Sequence, residues 1–173
     1  MELSVITTII NYTIPSVVTG LVAYFFFLRH TKTEEKKMHL NLLKENNKYT
    51  LPIKLQAYER MTLYLERINL SNLIVRVTSI NNDKDAYAIS LVNTIEQEFE
   101  HNLAQQIYIS EKCWSIIITS KNATKQRIQA VSKEEDILNA QELREAILKS
   151  TLQTPSPSIT ALAFIKDEVR SII

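Results

Sequence analysis

Between Leu3 and Leu28 the chain carries no charged residue, and this run limits what the molecule can fold into more than any other feature. A helix over it reaches roughly 39 Å at about 1.5 Å per residue, beyond a hydrocarbon core of about 30 Å. The run therefore predicts one N-terminal transmembrane helix, with room for tilt or frayed ends. Thr7, Thr8, Asn11, Thr13, Ser16 and Thr19 interrupt its first two thirds, and Pro15 and Gly20 lie inside it. Such residues are tolerated in a kinked span when hydroxyls or neighbouring helices satisfy the freed backbone groups. The alternative is a polar stripe, in which Asn11 and the threonines hydrogen-bond a partner helix. A cleaved signal peptide fits poorly, because Glu2 stands where Lys or Arg is expected and the apolar run continues through Tyr24 to Leu28.

Orientation follows from the flank of the span. Arg29, Lys32, Lys36 and Lys37 follow it, against Glu2 and the initiator amine before it, so the remainder is expected on the cytoplasmic side. The single cysteine, Cys113, cannot build an internal disulfide framework and agrees with a reducing compartment. A chain of 173 residues has room for one ordinary domain beside such an anchor.

Glycine narrows the class of that domain, because the chain has one glycine, Gly20, and it lies inside the span. Phosphate-cradling loops need glycines where backbone amides approach the ligand, so a P-loop and the dinucleotide-binding fingerprint are both excluded. Tight hairpin turns favour glycine as well, which argues against a hairpin-rich β domain. The fold class read from the sequence is all-α: one transmembrane helix followed by a multi-helix cytoplasmic domain.

Residues 1–30 form the expected anchor and 31–50 a charged juxtamembrane connector with a weak helical pattern. The helical domain is expected over 51–153, and a linker with a C-terminal helix over 154–173. Leu51, Leu55, Tyr58, Met61, Leu65 and Ile68 recur at three and four residues, with Pro52 in the first turn, and predict an amphipathic helix. Asn69, Ser71 and Asn72 read as a break, and Leu73 to Ile80 as a short apolar element, helical or extended. After Asn81, Asn82 and Asp83 a long helix is predicted with Ile89, Val92, Ile95, Phe99 and Leu103 on one face. Ser110 is positioned to cap the next helix, which is expected to reach about Val131. Further helices are predicted over Glu135 to Ser150 and, after the Thr154-Pro155-Ser156-Pro157 linker, over Ser158 to about Ile172.

The segment LPIKLQAYERMTLYLERI, Leu51 to Ile68, and above all LQAYERMTLYLERI from Leu55, resembles an uncharacterised family of small bacterial membrane proteins found in Bacteroidota. The resemblance implies an N-terminal span in the bacterial inner membrane and a helical cytoplasmic domain, across most of the chain. That family has no assigned activity, so the resemblance implies no catalytic residues. On the same helix Tyr58, Arg60, Tyr64 and Arg67 form a candidate partner-binding face, since Tyr and Arg supply contact area and directional hydrogen bonds. The plainer reading is a solvated charged face.

Charge is distributed in blocks. Basic residues outnumber acidic ones from Arg29 to Arg76; from Val77 to Glu111 Lys84 stands against Asp83, Asp85, Glu96, Glu98, Glu100 and Glu111. Lys112, Lys121, Lys125, Arg127 and Lys133 then follow with no acidic residue among them. The blocks either neutralise one another within the fold, at about 0 to 1 kcal/mol per exposed pair, or the basic helix faces anionic lipid. Nucleic-acid binding is disfavoured by a net charge of +1, the absence of a reader motif and the anchor.

Enzymatic patterns are sparse. Glu98 and His101 form one E-x-x-H pair, but a di-iron carboxylate site needs a second pair and two further inward glutamates. Cys113 beside Trp114 is a reactive-thiol candidate only if a helix N-terminus lowers its pKa; a small buried core residue is the commoner case. No hydrolase, zinc or calcium motif is present, and no metal or cofactor is expected. The leading reading is a noncatalytic, single-pass interaction or assembly module with a protein partner or a second copy of itself. An anionic-lipid sensor and an enzyme of unrecognised type are the alternatives. Ile159, Leu162, Ile165, Val169, Ile172 and Ile173 leave open whether the last helix packs in the core or on a second subunit.

Overall fold

The structure, a computed structural model, describes residues 2–79 and 81–173, without the side chains of 2–12, 32 and 33. The proposed polar stripe at Thr7, Thr8 and Asn11 lies outside the described side chains, and Ile80 outside the described residues. Helix α1 spans Glu2–Arg67, α2 Leu70–Arg76, α3 Lys84–Glu100, α4 Glu111–Ser132, α5 Ala140–Gln153 and α6 Pro157–Ile172. A 3₁₀ turn, Leu103–Ile107, joins α3 to α4. No strand occurs among the described residues, so the chain is all-helical.

The chain divides into two units, residues 1–50 and Leu51–Ile173. In the first, the described side chains are exposed; Ile14, Val22, Phe25, Phe26 and Phe27 find no cover within the fold. The helix carrying them is long and apolar enough to cross a membrane by length and composition. Its polar residues are served internally: Ser16 Oγ donates to the Thr13 carbonyl (2.8 Å) and Thr19 Oγ1 to the Pro15 carbonyl (2.8 Å). Back-bonding of this kind satisfies a hydroxyl without a partner helix, so these two protons are spent inside α1.

In the second unit the apolar period of the sequence becomes the core. Met61 and Leu65 of α1 and Ile68 just after it are fully buried, as are Leu70 and Leu73 of α2, Leu91 and Ile95 of α3, Ile117 and Ile128 of α4, and Leu143 and Ile147 of α5. Full burial of a side chain of this size contributes about 1.5–3 kcal/mol, which is why the three-and-four spacing dictates the packing. Helix α4 packs against α3, α5 and α6, and α5 also meets α2 and α3. Leu162 and Ile165 of α6 lie in this core.

Side-chain caps set the helix starts. Asn69 Oδ1 accepts from the Ser71 amide at 3.1 Å and Asp83 Oδ1 from the Asp85 amide at 2.9 Å. Ser110 Oγ accepts from the Cys113 amide at 3.1 Å, and Asn139 Oδ1 from the Glu142 amide at 3.0 Å. Each satisfies one of the orphan donors of a helix N-terminus.

Four elements differ from expectation. The helix expected to start near Leu51, with Pro52 in its first turn, is the last part of the continuous helix α1, so Pro52 lies in a helix interior. The short apolar element is helix α2, and it starts at Leu70 because Asn69 caps it. The helix expected from Glu135 begins at Ala140, since Asn139 caps there and the Ile137 carbonyl before it accepts from Lys84 Nζ at 2.7 Å. The buried face of α3 is Tyr87, Ala88, Leu91, Ile95 and Phe99, while Ile89 and Leu103 are exposed. Burial of Leu91, Ile95 and Phe99 fixes that rotation, and the Tyr87 hydroxyl, donating to the Val77 carbonyl at 2.9 Å, is satisfied on the same face.

Candidate functional site

The face of α1 singled out in the sequence opens onto a groove of about 540 Å³ lined by Gln56, Glu59, Arg60, Leu63, Tyr64, Arg67, Glu98 and Asn102. Arg60 and Arg67 line it, with the exposed Leu63 between them. Tyr58 and Tyr64 are corrections to the expected docking face. Both rings are buried, at 3% and 1% exposure; Tyr64 lines the groove from beneath, and Tyr58 is not among its lining residues.

Each ring is held in by something distant in sequence. Tyr58 Oη donates to Glu168 Oε1 at 2.9 Å, tying α1 to α6, and accepts weakly from the Ser110 amide at 3.4 Å. Burial, reinforced by the Glu168 hydrogen bond, pushes the Tyr58 phenol up to about 12. Tyr64 starts an aromatic run across three helices: its ring centroid is 5.7 Å from Phe99, which stacks on Trp114 at 5.3 Å. Burial, with Glu96 and Glu98 nearby, raises the Tyr64 phenol too, and its hydroxyl finds no partner among the described residues.

At the α3 side of the groove, Glu98 accepts from Arg67 at 2.9 Å and from Arg76 at 2.5 Å, joining the ends of α1 and α2 to α3. Burial opposes ionisation of Glu98, but the Arg76 hydrogen bond and the two guanidinium charges outweigh it and hold its carboxyl below the usual range. This use consumes Glu98, and His101, the other half of the E-x-x-H pair, is the exposed C-cap of α3. Among the described residues no group of three His, Cys, Asp or Glu is placed to hold a metal ion.

The basic block is also committed inside the fold. Lys121 pairs with Glu96 at 2.8 Å while lying 4.1 Å over the Phe99 ring, and Lys125 holds the other Glu96 oxygen. Burial works against Glu96 ionising; the two lysines overcome it and lower its pKa. Arg127 donates to the carbonyls of Thr154 (2.9 Å) and Pro155 (3.1 Å), and Lys112 lies 5.2 Å over the Phe164 ring. Lys133, the C-cap of α4, is exposed. Of the five cations, Lys121 and Lys125 are thus engaged by Glu96 and Arg127 by the carbonyls before α6, while Lys112 and Lys133 remain exposed.

Cys113 is fully buried, one turn into α4. Burial, with the Glu168 carboxylate nearby, pushes its thiol up to about 12, the opposite of an activated nucleophile. The sequence reading did not single out Glu168, Gln56, Leu63 or Asn102; the charge blocks pointed toward Glu98 pairing without naming its partners.

A family model matches the chain over residues 4–172. The chain belongs to DUF7935, a family of unknown function. The DUF7935 match runs through both units, so the apolar N-terminal helix is part of what defines the family's extent. No curated protein and no solved structure matches the chain.

Proposed function

We propose that this DUF7935 chain is a noncatalytic, single-pass module of the bacterial inner membrane. Its Leu51–Ile173 bundle lies in the cytoplasm and docks a protein partner through the groove lined by Arg60, Leu63 and Arg67. The observation that carries the reading is the outward display of the apolar run: Val22 is 63% exposed and Phe26 71%, with nothing in the fold covering them. An apolar face of that extent needs a nonaqueous environment. The catalytic candidates support the noncatalytic part, because Glu98 is paired twice and the Cys113 thiol is buried and protonated.

Arg60 and Leu63 give the docking surface a directional donor beside an exposed apolar side chain, the combination interface anchors favour. The test is a mild-detergent pull-down of the tagged full chain beside Arg60→Glu/Leu63→Asp and a form lacking residues 1–30. A stoichiometric partner, lost in the double variant, is expected. A partner-free chain refutes the docking reading, and release of the full chain from membranes by alkaline carbonate refutes the span.

A further inference from the structure

A concavity of about 310 Å³ lies where the segment after α2 and the start of α3 meet the first turns of α5. Its edges are tied together: the Ala140 amide donates to the Asn82 carbonyl at 3.2 Å, and Lys84 Nζ to the Ile137 carbonyl at 2.7 Å. Besides Tyr87, its polar lining consists of the neutral side chains Thr78, Ser79, Asn81, Asn82 and Gln141 and one charged group, Arg144. No carboxylate is among the lining residues.

Arg144 separates this pocket from an ordinary surface hollow. Among the described residues the half-buried lysines and arginines are Lys84, Lys121, Lys125, Arg127 and Arg144. Lys84 is engaged by the Ile137 carbonyl, Lys121 and Lys125 by Glu96, and Arg127 by the carbonyls of Thr154 and Pro155. Arg144 alone of these makes no hydrogen bond or ion pair with a described residue. Its own helix offers no counter-ion, since Ala140, Gln141, Ile147 and Leu148 stand three and four residues away. The carboxylates near it in the fold are in use: Asp83 caps α3, Glu142 accepts from the Leu138 amide at 2.6 Å, and Glu145 from the Gln141 side chain at 2.8 Å. The guanidinium charge is felt at the Tyr87 wall, where burial raises the phenol and Arg144 counters it. A guanidinium drawn partly out of water without a counter-ion carries a cost that an incoming oxyanion removes, and its planar fork matches two oxygens of a phosphate.

We propose that this pocket binds a phosphate group, with Arg144 as the anchoring cation and Thr78, Asn82 and Gln141 as neutral donors around it. The start of α5 adds the positive end of a helix to the same wall. Inorganic phosphate and the phosphomonoester headgroup of a lipid present the same chemistry to Arg144. The site is independent of the α1–α3 groove and of the docking reading.

The experiment uses the full chain with ¹³C-methyl alanine in a maltoside detergent, which carries no phosphate, titrated with inorganic phosphate against sodium chloride at constant ionic strength. The Ala140 methyl signal shifts saturably with phosphate and not with chloride, while Ala57 and Ala161 stay in place. Arg144→Gln weakens binding about 10-fold or more, the effect of losing a charge-assisted hydrogen bond. Gln141→Glu, which sets a carboxylate three residues before Arg144, weakens it with the arginine still present. Unmoved Ala57 and Ala161 signals show that both variants are folded. A parallel arm compares nanodiscs of phosphatidylcholine with and without phosphatidic acid: an Ala140 shift that needs phosphatidic acid and Arg144 assigns the site to a headgroup, and saturation by inorganic phosphate alone assigns it to a soluble ligand. No saturable Ala140 shift in either arm would overturn the proposal, as would a shift that Arg144→Gln leaves unchanged.

Discussion

Replacing Glu98 by Gln removes the charge on which the ends of α1 and α2 converge, and the structure sets the size of the effect. The Glu98 side chain retains 13% of its exposure, Arg76 36% and Arg67 57%. A sheltered hydrogen bond to a charged group contributes about 1.5–3 kcal/mol, an exposed pair about 0–1. Arg67 falls at the exposed end, Arg76 between the two, and Gln keeps one carbonyl oxygen as an acceptor. The net loss is therefore about 1–2 kcal/mol, a Tm decrease of roughly 3–8 °C for a domain of this size. The pH dependence has a definite sign. Because the folded carboxyl titrates below the ordinary glutamate value of 4.5, its contribution is present above that pH and is lost as pH falls through the folded value. Urea unfolding followed by Trp114, the one tryptophan and a stacking partner of Phe99, reads this directly. The gap between wild type and Glu98→Gln should hold at pH 7, begin to narrow near pH 4.5 and close only once pH has fallen through the lower folded value. A gap of the same size at pH 3, or none at pH 7, would refute the argument that ionised Glu98 fastens α1 and α2 to α3.

Cys113, raised to about 12 by burial, should resist iodoacetamide at pH 8 in the folded chain and react at an ordinary thiol rate once denatured; equal rates in both states contradict its placement. Tyr58→Phe should cost about 1–2 kcal/mol by unpairing the Glu168 oxygen. Since the Tyr58 phenol is raised from 10.0 to about 12, its contribution is complete below pH 10 and lost toward pH 12. Stability of wild type relative to Tyr58→Phe should therefore shrink across that interval, and a flat difference refutes it. Ile117→Ala, in the buried face of α4, should destabilise by about 2–5 kcal/mol in the same urea assay, whereas Ile89→Ala on the exposed face of α3 should stay within about 0.5 kcal/mol; similar costs for both would place the α3 and α4 faces wrongly.

What the sequence revealed and what it concealed divide along the range of the interactions. The Leu51 to Ile68 face was readable because Met61, Leu65 and Ile68 obey a local period that burial alone enforces. Ser110 was readable as a cap because its partner, the Cys113 amide, is three residues away. On α3 the period placed Ile95 and Phe99 in the core but missed the first turns, where Ile89 is more apolar than Ala88 yet Tyr87, Ala88 and Leu91 are the buried residues, the Tyr87 hydroxyl reaching the Val77 carbonyl. The tyrosines of α1 are ambiguous in the sequence for a related reason: Tyr58 falls in the apolar repeat and also, with Tyr64, on the candidate docking face. A phenol belongs in a core when its hydroxyl has an acceptor there, and the acceptor of Tyr58 is Glu168, 110 residues further along the chain. The charge blocks show the same limit in the candidate site. Composition indicates that acidic α3 lies between basic neighbours, but that Glu98 takes Arg67 and Arg76 while Glu96 takes Lys121 and Lys125 is decided by helix packing. Those pairings determine which cations remain for a partner. Arg60 remains at its groove without a described ion pair while the basic row of α4 is largely occupied, which favours α1 over α4 as the surface on which binding should first be sought.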